Sequence, residues 1–213
     1  MHKTINNLNI IENLLKIKVG IIPNIIAVSK TFPANDVLPL VNYGHIHFGE
    51  NKVQESIDKW TDIKLNNDIK LHLVGKLQTN KVKLAIKIFD YIHSLDSEKL
   101  AKKIADEQIK QNKNIKIFIQ INIGNEDQKS GIKTEEVVNF YKYCKNLNLD
   151  IIGTMCIPPK SESPQDYFLE MNRINKELNL VDLSMGMSDD YLEAAKSNAS
   201  FLRIGSNIFG QRN

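Results

Sequence analysis

The chain has 213 residues, 42% of them hydrophobic, with a net charge of +3 spread over 28 basic and 25 acidic side chains. That length builds one large domain with a substantial core, and interleaved charges with no basic run longer than Lys102-Lys103 argue against a nucleic-acid or membrane surface. Lys3, Glu12, Lys16 and Lys18 interrupt any signal-peptide apolar core, no stretch reaches transmembrane length, and Cys144 and Cys156 show neither metal nor disulfide spacing, so a cytoplasmic protein is expected.

Taken in order, Ile5, Leu8, Ile11 and Leu15 recur at helical spacing, which predicts an amphipathic helix over 4–16. Pro23 then opens the first strand, where Ile25, Ile26, Ala27 and Val28 read as a strand buried on both faces, as in a parallel sheet. The run ends in Ser29 and Lys30. A lysine at that point is partly desolvated, which disfavours the ammonium and leaves an amine able to attack an aldehyde. Lys30 is therefore a candidate Schiff-base lysine, although a strand-end lysine can also simply extend to water.

A helix over 35–43 should follow, stopped by Gly44, then a strand over 45–48 that ends in Gly49-Glu50-Asn51 and a helix carrying Val53, Ile57 and Trp60. The unit repeats: strand 70–74 with helix 79–88, and strand 91–93 with helix 98–110. In the latter, Leu100, Ala101, Ile104, Ala105 and Ile109 form one stripe behind a cap at Asp96 or Ser97. Strand 115–123 leads through a polar loop, 124–131, to a helix with Val137, Val138, Tyr141 and Cys144 on one face. Strand 150–155, helix 165–178, strand 181–184, helix 189–197 and strand 201–204 complete the pattern.

Eight strands, each followed by a helix or helical turn, predict a single-domain (β/α)8 TIM barrel over 1–213 in preference to an open doubly wound sheet. In such barrels the chemistry sits at the C-terminal strand ends, with phosphate commonly held by the loops after strands seven and eight. Ser184-Met185-Gly186-Met187-Ser188 and Gly205-Ser206-Asn207 occupy those loops. Gly205 and Ser206 are favoured as the main phosphate clamp, since Asp189 and Asp190 beside Ser188 would repel an anion they faced. Arg203, inside an apolar strand, needs a partner: either a structural ion pair or a ligand's ring nitrogen. Strands one and eight are neighbours in a closed barrel, so Lys30, Arg203 and Ser206 would converge on a small phosphorylated aldehyde, and pyridoxal 5'-phosphate is the obvious molecule.

At this point the sequence resembles a known family, the pyridoxal phosphate homeostasis proteins, relatives of the alanine racemase N-terminal barrel domain. The resemblance runs through Ala27-Val28-Ser29-Lys30-Thr31, Phe48-Gly49-Glu50-Asn51, Gly75-Lys76-Leu77-Gln78-Thr79-Asn80-Lys81, His93-Ser94-Leu95-Asp96, Lys129-Ser130-Gly131 and Arg203-Ile204-Gly205-Ser206. It implies that Lys30 carries pyridoxal 5'-phosphate as a Schiff base, that Arg203 faces the pyridine nitrogen, that Asn51 lies beside the ring, and that Ser184 or Ser188 with Gly205 and Ser206 hold the phosphate. It also implies a role in vitamin B6 homeostasis, with pyridoxal phosphate-dependent apoenzymes as possible recipients and a monomer or weak dimer as the working state.

An arginine at the ring nitrogen makes the ring a poor electron sink, and a racemase needs an acid or base on each substrate face. A binder and deliverer with little or no turnover is therefore expected, with no catalytic residues and no metal. The alternative is a pyridoxal-dependent racemase or related enzyme using a second base among Tyr43, His72 and His93. A metal-dependent hydrolase built on His45 and His47 fails on placement, because that pair begins its strand, away from the catalytic rim. The loop 127–130 reads as a solvated loop, although its place after strand five would let it cover the cofactor.

Overall fold

Strand β1 (Asn24–Val28) hydrogen-bonds to β8 (Phe201–Ile204) on one side and to β2 (His47–Glu50) on the other, and this pairing closes the sheet. The remaining strands in this computed structural model, which describes residues 2–159 and 162–211, are β3 (Lys70–Leu73), β4 (Tyr91–Leu95), β5 (Lys116–Ile121), β6 (Asp150–Cys156) and β7 (Asp182–Ser184). All pair in parallel in the order β1-β2-β3-β4-β5-β6-β7-β8, a closed barrel. Closure excludes the open doubly wound sheet and accounts for the near-continuous apolar strands, since each is buried on both faces.

The helices are α1 (Lys3–Lys18), α2 (Ala34–Tyr43), α3 (Val53–Asn66), α4 (Val82–Ile88), α5 (Glu98–Gln111), α6 (Val137–Asn146), α7 (Pro164–Glu177), α8 (Tyr191–Lys196) and α9 (Ser206–Phe209). Helix α1 buries Leu8, Ile11 and Leu15 and packs on α2, α8 and α9, with Asn7 Nδ2 donating to the Ile208 carbonyl at 2.9 Å. Helix α2 stops at Gly44, whose φ of 96° is open only to residues that tolerate the left-handed region. Among the described residues, no helix is long and apolar enough to cross a membrane.

Period-two alternation divides the core. Ile25, Ala27, Phe48, Leu71 and Leu73 face the helices, while Ile26, Val28, Tyr91, Phe118, Met155 and Phe201 fill the barrel interior. Each fully buried large apolar side chain contributes about 1.5–3 kcal/mol relative to exposure.

Several boundaries differ from the sequence reading. Strand β2 begins at His47 and runs through Gly49 and Glu50, which the sequence suggests are a terminating loop. Gly49 is interior strand because an added Cβ there would lie 2.8 Å from the Ile26 methyl. Strand β4 continues to Leu95, and β5 covers 116–121 rather than 115–123. In α5 the stripe is completed by Gln108, whose Oε1 accepts from the Ile115 N–H at 2.8 Å, while Ile109 is 79% exposed. Ser97 occupies the N-cap position of α5 without a side-chain capping bond.

Candidate functional site

The parity that sends Ile26 and Val28 inward continues to Lys30, one pleat beyond the end of β1, where the side chain is half-buried. Register places Val28 opposite Gly49, so Lys30 and Asn51 each lie two residues further along adjacent strands. On the other side Ala27 pairs with Ile204, and the stretch the sequence reads as a loop passes through Gly205 directly into α9, beside the end of β1. An added Cβ on Gly205 would lie 3.2 Å from the Val28 carbonyl oxygen, and one on Gly75 would lie 2.4 Å from that of Asn51. Glycines thus let the ends of β8 and β1, and of β3 and β2, approach closely at one sector of the C-terminal rim.

The Lys30 turn is held by a buried network from below. Phe32 N–H donates to the Ser29 carbonyl at 3.1 Å, and Thr31 between them has a φ of 72°, strained for a β-branched residue. Lys59 Nζ on α3 donates to the Ser29 and Phe32 carbonyls, each at 2.8 Å, bracketing Lys30 and Thr31. The same ammonium is 2.6 Å from Glu50 Oε1, which also accepts from Ser29 Oγ at 2.7 Å and Trp60 Nε1 at 3.0 Å. Glu50 and Ser29 point out of the barrel, toward α3, by the same alternation that turns Ile26 and Val28 inward. Neither Glu50 nor Lys59 stands out in the sequence as a site residue, because Gly49-Glu50 reads locally as a loop and Lys59 as a helix-surface lysine.

Arg203 lies inside the barrel, fully buried, its Nη1 donating to the Ser184 carbonyl at 2.6 Å and to Ser184 Oγ at 2.8 Å, its Nη2 to the Cys156 carbonyl at 2.8 Å. It forms no ion pair among the described residues, so the structural ion pair allowed by the sequence is not its arrangement. Burial lowers its pKa and the nearby Cys156 and Asp190 oppose that, but a guanidinium remains protonated. Cys156 itself is pushed up to about 12 by burial, which leaves an unreactive thiol.

Of the two candidate serines, Ser184 is buried beneath the rim with its hydroxyl against Arg203 and His93, whereas Ser188 is half-buried at the rim. Asn207 stitches the loops after β7 and β8 together by donating from Nδ2 to the Ser188 carbonyl at 2.8 Å. Ser206 is exposed beside it. Asp190 turns away, accepting from the Met187 N–H at 2.6 Å, and burial raises its pKa. The carboxylate expected to oppose an anion at Ser188 is thus engaged by its own loop, while Asp189 points to solvent.

The remaining sequence candidates lie elsewhere. Tyr43 is on the outer face of α2 and donates to Asn9 Oδ1 at 3.1 Å. His72 and His93 are fully buried, in a row with His47 below Arg203. His45 Nε2 lies 2.9 Å from the His47 carbonyl at the opposite end of the barrel from Lys30. In the loop after β5, Lys129 pairs with Glu126 and reaches the Pro158 carbonyl at 3.2 Å, tying that loop to the end of β6.

Residues 5–213 match the family model for the alanine racemase N-terminal domain. A pyridoxal phosphate homeostasis protein of Aquifex aeolicus is 36% identical over 198 residues, spanning 88% of this chain and 86% of that one. The solved structure of PipY from Synechococcus elongatus without pyridoxal phosphate superposes with a TM-score of 0.90 at 31% identity, covering 98% of this chain and all of that one, 100%. The form of PipY with pyridoxal phosphate bound gives 0.83 at 30% identity, over 97% and 100% of the two chains.

Proposed function

This chain belongs to the pyridoxal phosphate homeostasis protein family, and on that premise we propose that it binds pyridoxal 5'-phosphate at the rim sector formed by β1, β2 and β8 and serves vitamin B6 homeostasis by holding and releasing it. The observation that carries the reading is the convergence of Lys30 with the Gly205-Ser206 loop on paired strands, above a buried Arg203 that has no carboxylate partner among the described residues. The residues fit the group: an amine for its aldehyde, hydroxyls and close-approaching backbone for its phosphate, and a permanent cation for its ring nitrogen.

Lys30 supplies the amine, in a reversible covalent bond. The Ser206 hydroxyl and the N–H groups at the start of α9 bind the phosphate, and Ser188 flanks them; Gly205 lets the backbone come close. Asn51 orients the ring from the β2 side. Arg203 donates to the ring nitrogen and, keeping its proton, leaves that nitrogen unprotonated. When bound, pyridoxal 5'-phosphate supplies an aldehyde that passes between amines. A ring with an unprotonated nitrogen is a poor electron sink, which disfavours turnover. The burial of His72 and His93 and the outward position of Tyr43 support the same reading, because none of these three stands at the rim as a second base. Delivery to apoenzymes, a monomeric or weakly dimeric state and a cytoplasmic setting complete the proposal.

The test is the visible absorbance of the purified protein with added pyridoxal 5'-phosphate, before and after borohydride, with Lys30→Ala alongside. A band that reduction fixes onto the Lys30 peptide, absent in the variant, is expected. A wild type that takes up no chromophore would overturn the reading.

A further inference from the structure

A row of hydrogen bonds crosses the barrel interior from β2 to β8. His47 Nδ1 is 2.9 Å from His72 Nε2, His72 Nδ1 is 2.9 Å from His93 Nε2, His93 Nδ1 is 2.8 Å from Ser184 Oγ, and Ser184 Oγ is 2.8 Å from Arg203 Nη1. Tyr91 stacks on His72 with centroids 4.1 Å apart and Phe118 on His93 at 4.3 Å, so the rings have little freedom to turn.

Chemistry fixes where the protons sit. A guanidinium donates and never accepts, so Ser184 Oγ is the acceptor in its bond with Arg203. Ser184 is fully buried and, among the described residues, its hydroxyl touches one other polar side chain, His93. The serine proton therefore goes to His93 Nδ1; turned any other way it would be buried without an acceptor, which is unfavourable. His93 then carries its proton on Nε2 and donates to His72 Nδ1, and His72 in turn donates from Nε2 to His47 Nδ1. The rings are neutral, because a doubly protonated ring would set one N–H against another. Burial and, for His93, the charge of Arg203 act in the same direction.

We infer that Arg203 locks His47, His72 and His93 into one tautomeric polarity, and that His93, acting through Ser184, is a positioning residue that fixes the direction in which Arg203 donates. Among the described residues, the guanidinium is otherwise held by two backbone carbonyls, those of Ser184 and Cys156. An acceptor for the Ser184 proton keeps Oγ turned toward Arg203 as a third fixed anchor. The inference rests on the proposed pyridoxal 5'-phosphate site only in its consequence for that ligand; the row itself belongs to the ligand-free chain.

The test begins with histidine nitrogen NMR of the ligand-free wild type at neutral pH. All three rings should be neutral with the proton on Nε2, and His72 or His93 found with the proton on Nδ1, or charged, would overturn the inference. In Arg203→Met, Ser184 is free to accept from His93, so the His93 tautomer should become mixed; an unchanged tautomer would show that Arg203 does not set the polarity. The Arg203 Nη signals, separate in wild type, should merge in His93→Leu and stay separate in His93→Gln, which can still accept from Ser184. Separate signals in both variants would overturn the positioning role. Affinity for added pyridoxal 5'-phosphate should fall about tenfold in His93→Leu, as expected for loosening one bond to a charged group, and less in His93→Gln. If the wild type binds no pyridoxal 5'-phosphate, the proposed function fails while the NMR arms still decide the row.

Discussion

Lys59 Nζ sits 2.6 Å from Glu50 Oε1 with the lysine side chain 10% and the glutamate 1% exposed, and the same ammonium closes the backbone turn that presents Lys30. A buried pair of this kind is costly to break from one side, because the partner is left as an uncompensated charge. Lys59→Met should therefore lower unfolding stability by about 3–5 kcal/mol. Adding Glu50→Gln, which removes the stranded charge and keeps an acceptor for Ser29 and Trp60, should recover about 1–3 kcal/mol. Urea unfolding of the wild type, single and double variants measures both. A single variant near wild-type stability would mean that the pair does not hold the turn.

The histidine row makes stability fall with acid. Burial, with His45 and Lys70 nearby, holds His47 at about 4, and burial drives His72 and His93 well below the ordinary 6.5. A base whose folded-state pKa is depressed is protonated first in the unfolded chain. Stability is then complete above pH 6.5 and is lost as pH falls from there toward 4 and beyond. Asp96 and Asp190, raised by burial, act oppositely, but only near the carboxylate range. Thermal unfolding should show a midpoint that drops between neutral pH and the carboxylate range, and His72→Phe should flatten that slope. A flat profile in the wild type would contradict the neutral row.

The barrel was legible because each strand buries both faces, which turns Ile25 to Val28 or Phe201 to Ile204 into apolar runs that periodicity detects. Lys30 and Ser206 could be singled out as candidates because polar residues follow those runs, and Arg203 because a charge interrupts one of them. Glu50 was not, since its burial depends on Lys59, Ser29 and Trp60 arriving from other segments, and a glycine followed by an acid reads locally as a loop. In the sequence His47 draws notice with His45 as a metal candidate, and His72 and His93 as separate candidate bases. Their joining into one row is a product of strand register, in which His47 pairs with Lys70 and His72 with Tyr91, and of barrel closure that brings β4 across to Ser184.

Two glycines at the rim should respond differently to alanine. At Gly75 the new methyl meets the Asn51 backbone at 2.4 Å from oxygen and 2.7 Å from Cα, and backbone cannot step aside cheaply. Gly75→Ala should cost about 1–3 kcal/mol of stability. At Gly205 the contact is 3.2 Å to a single carbonyl oxygen, so Gly205→Ala should cost less than about 1 kcal/mol and act instead on the approach of a phosphate to the loop. Urea unfolding together with titration of pyridoxal 5'-phosphate by its visible band separates the two effects. Equal stability loss at both positions would refute the distinction.

Thr31 holds a φ of 72° directly after Lys30, a conformation that costs an L-residue roughly 1–2 kcal/mol and suits a β-branched side chain least. Asparagine tolerates the left-handed region far better, and unlike glycine it adds little freedom to the unfolded chain. Among the described residues, the five other non-glycine residues with positive φ, Asn112, Asn125, Asn148, Asn179 and Asn198, are all asparagines, which makes the threonine the exception. Thr31→Asn should therefore raise stability by about 0.5–1 kcal/mol, read as a higher urea midpoint with an unchanged slope. Because the turn is clamped by Lys59 at the Ser29 and Phe32 carbonyls, its shape should survive the exchange. A lower midpoint would mean that the Thr31 side chain contributes more to the turn than its backbone strain removes.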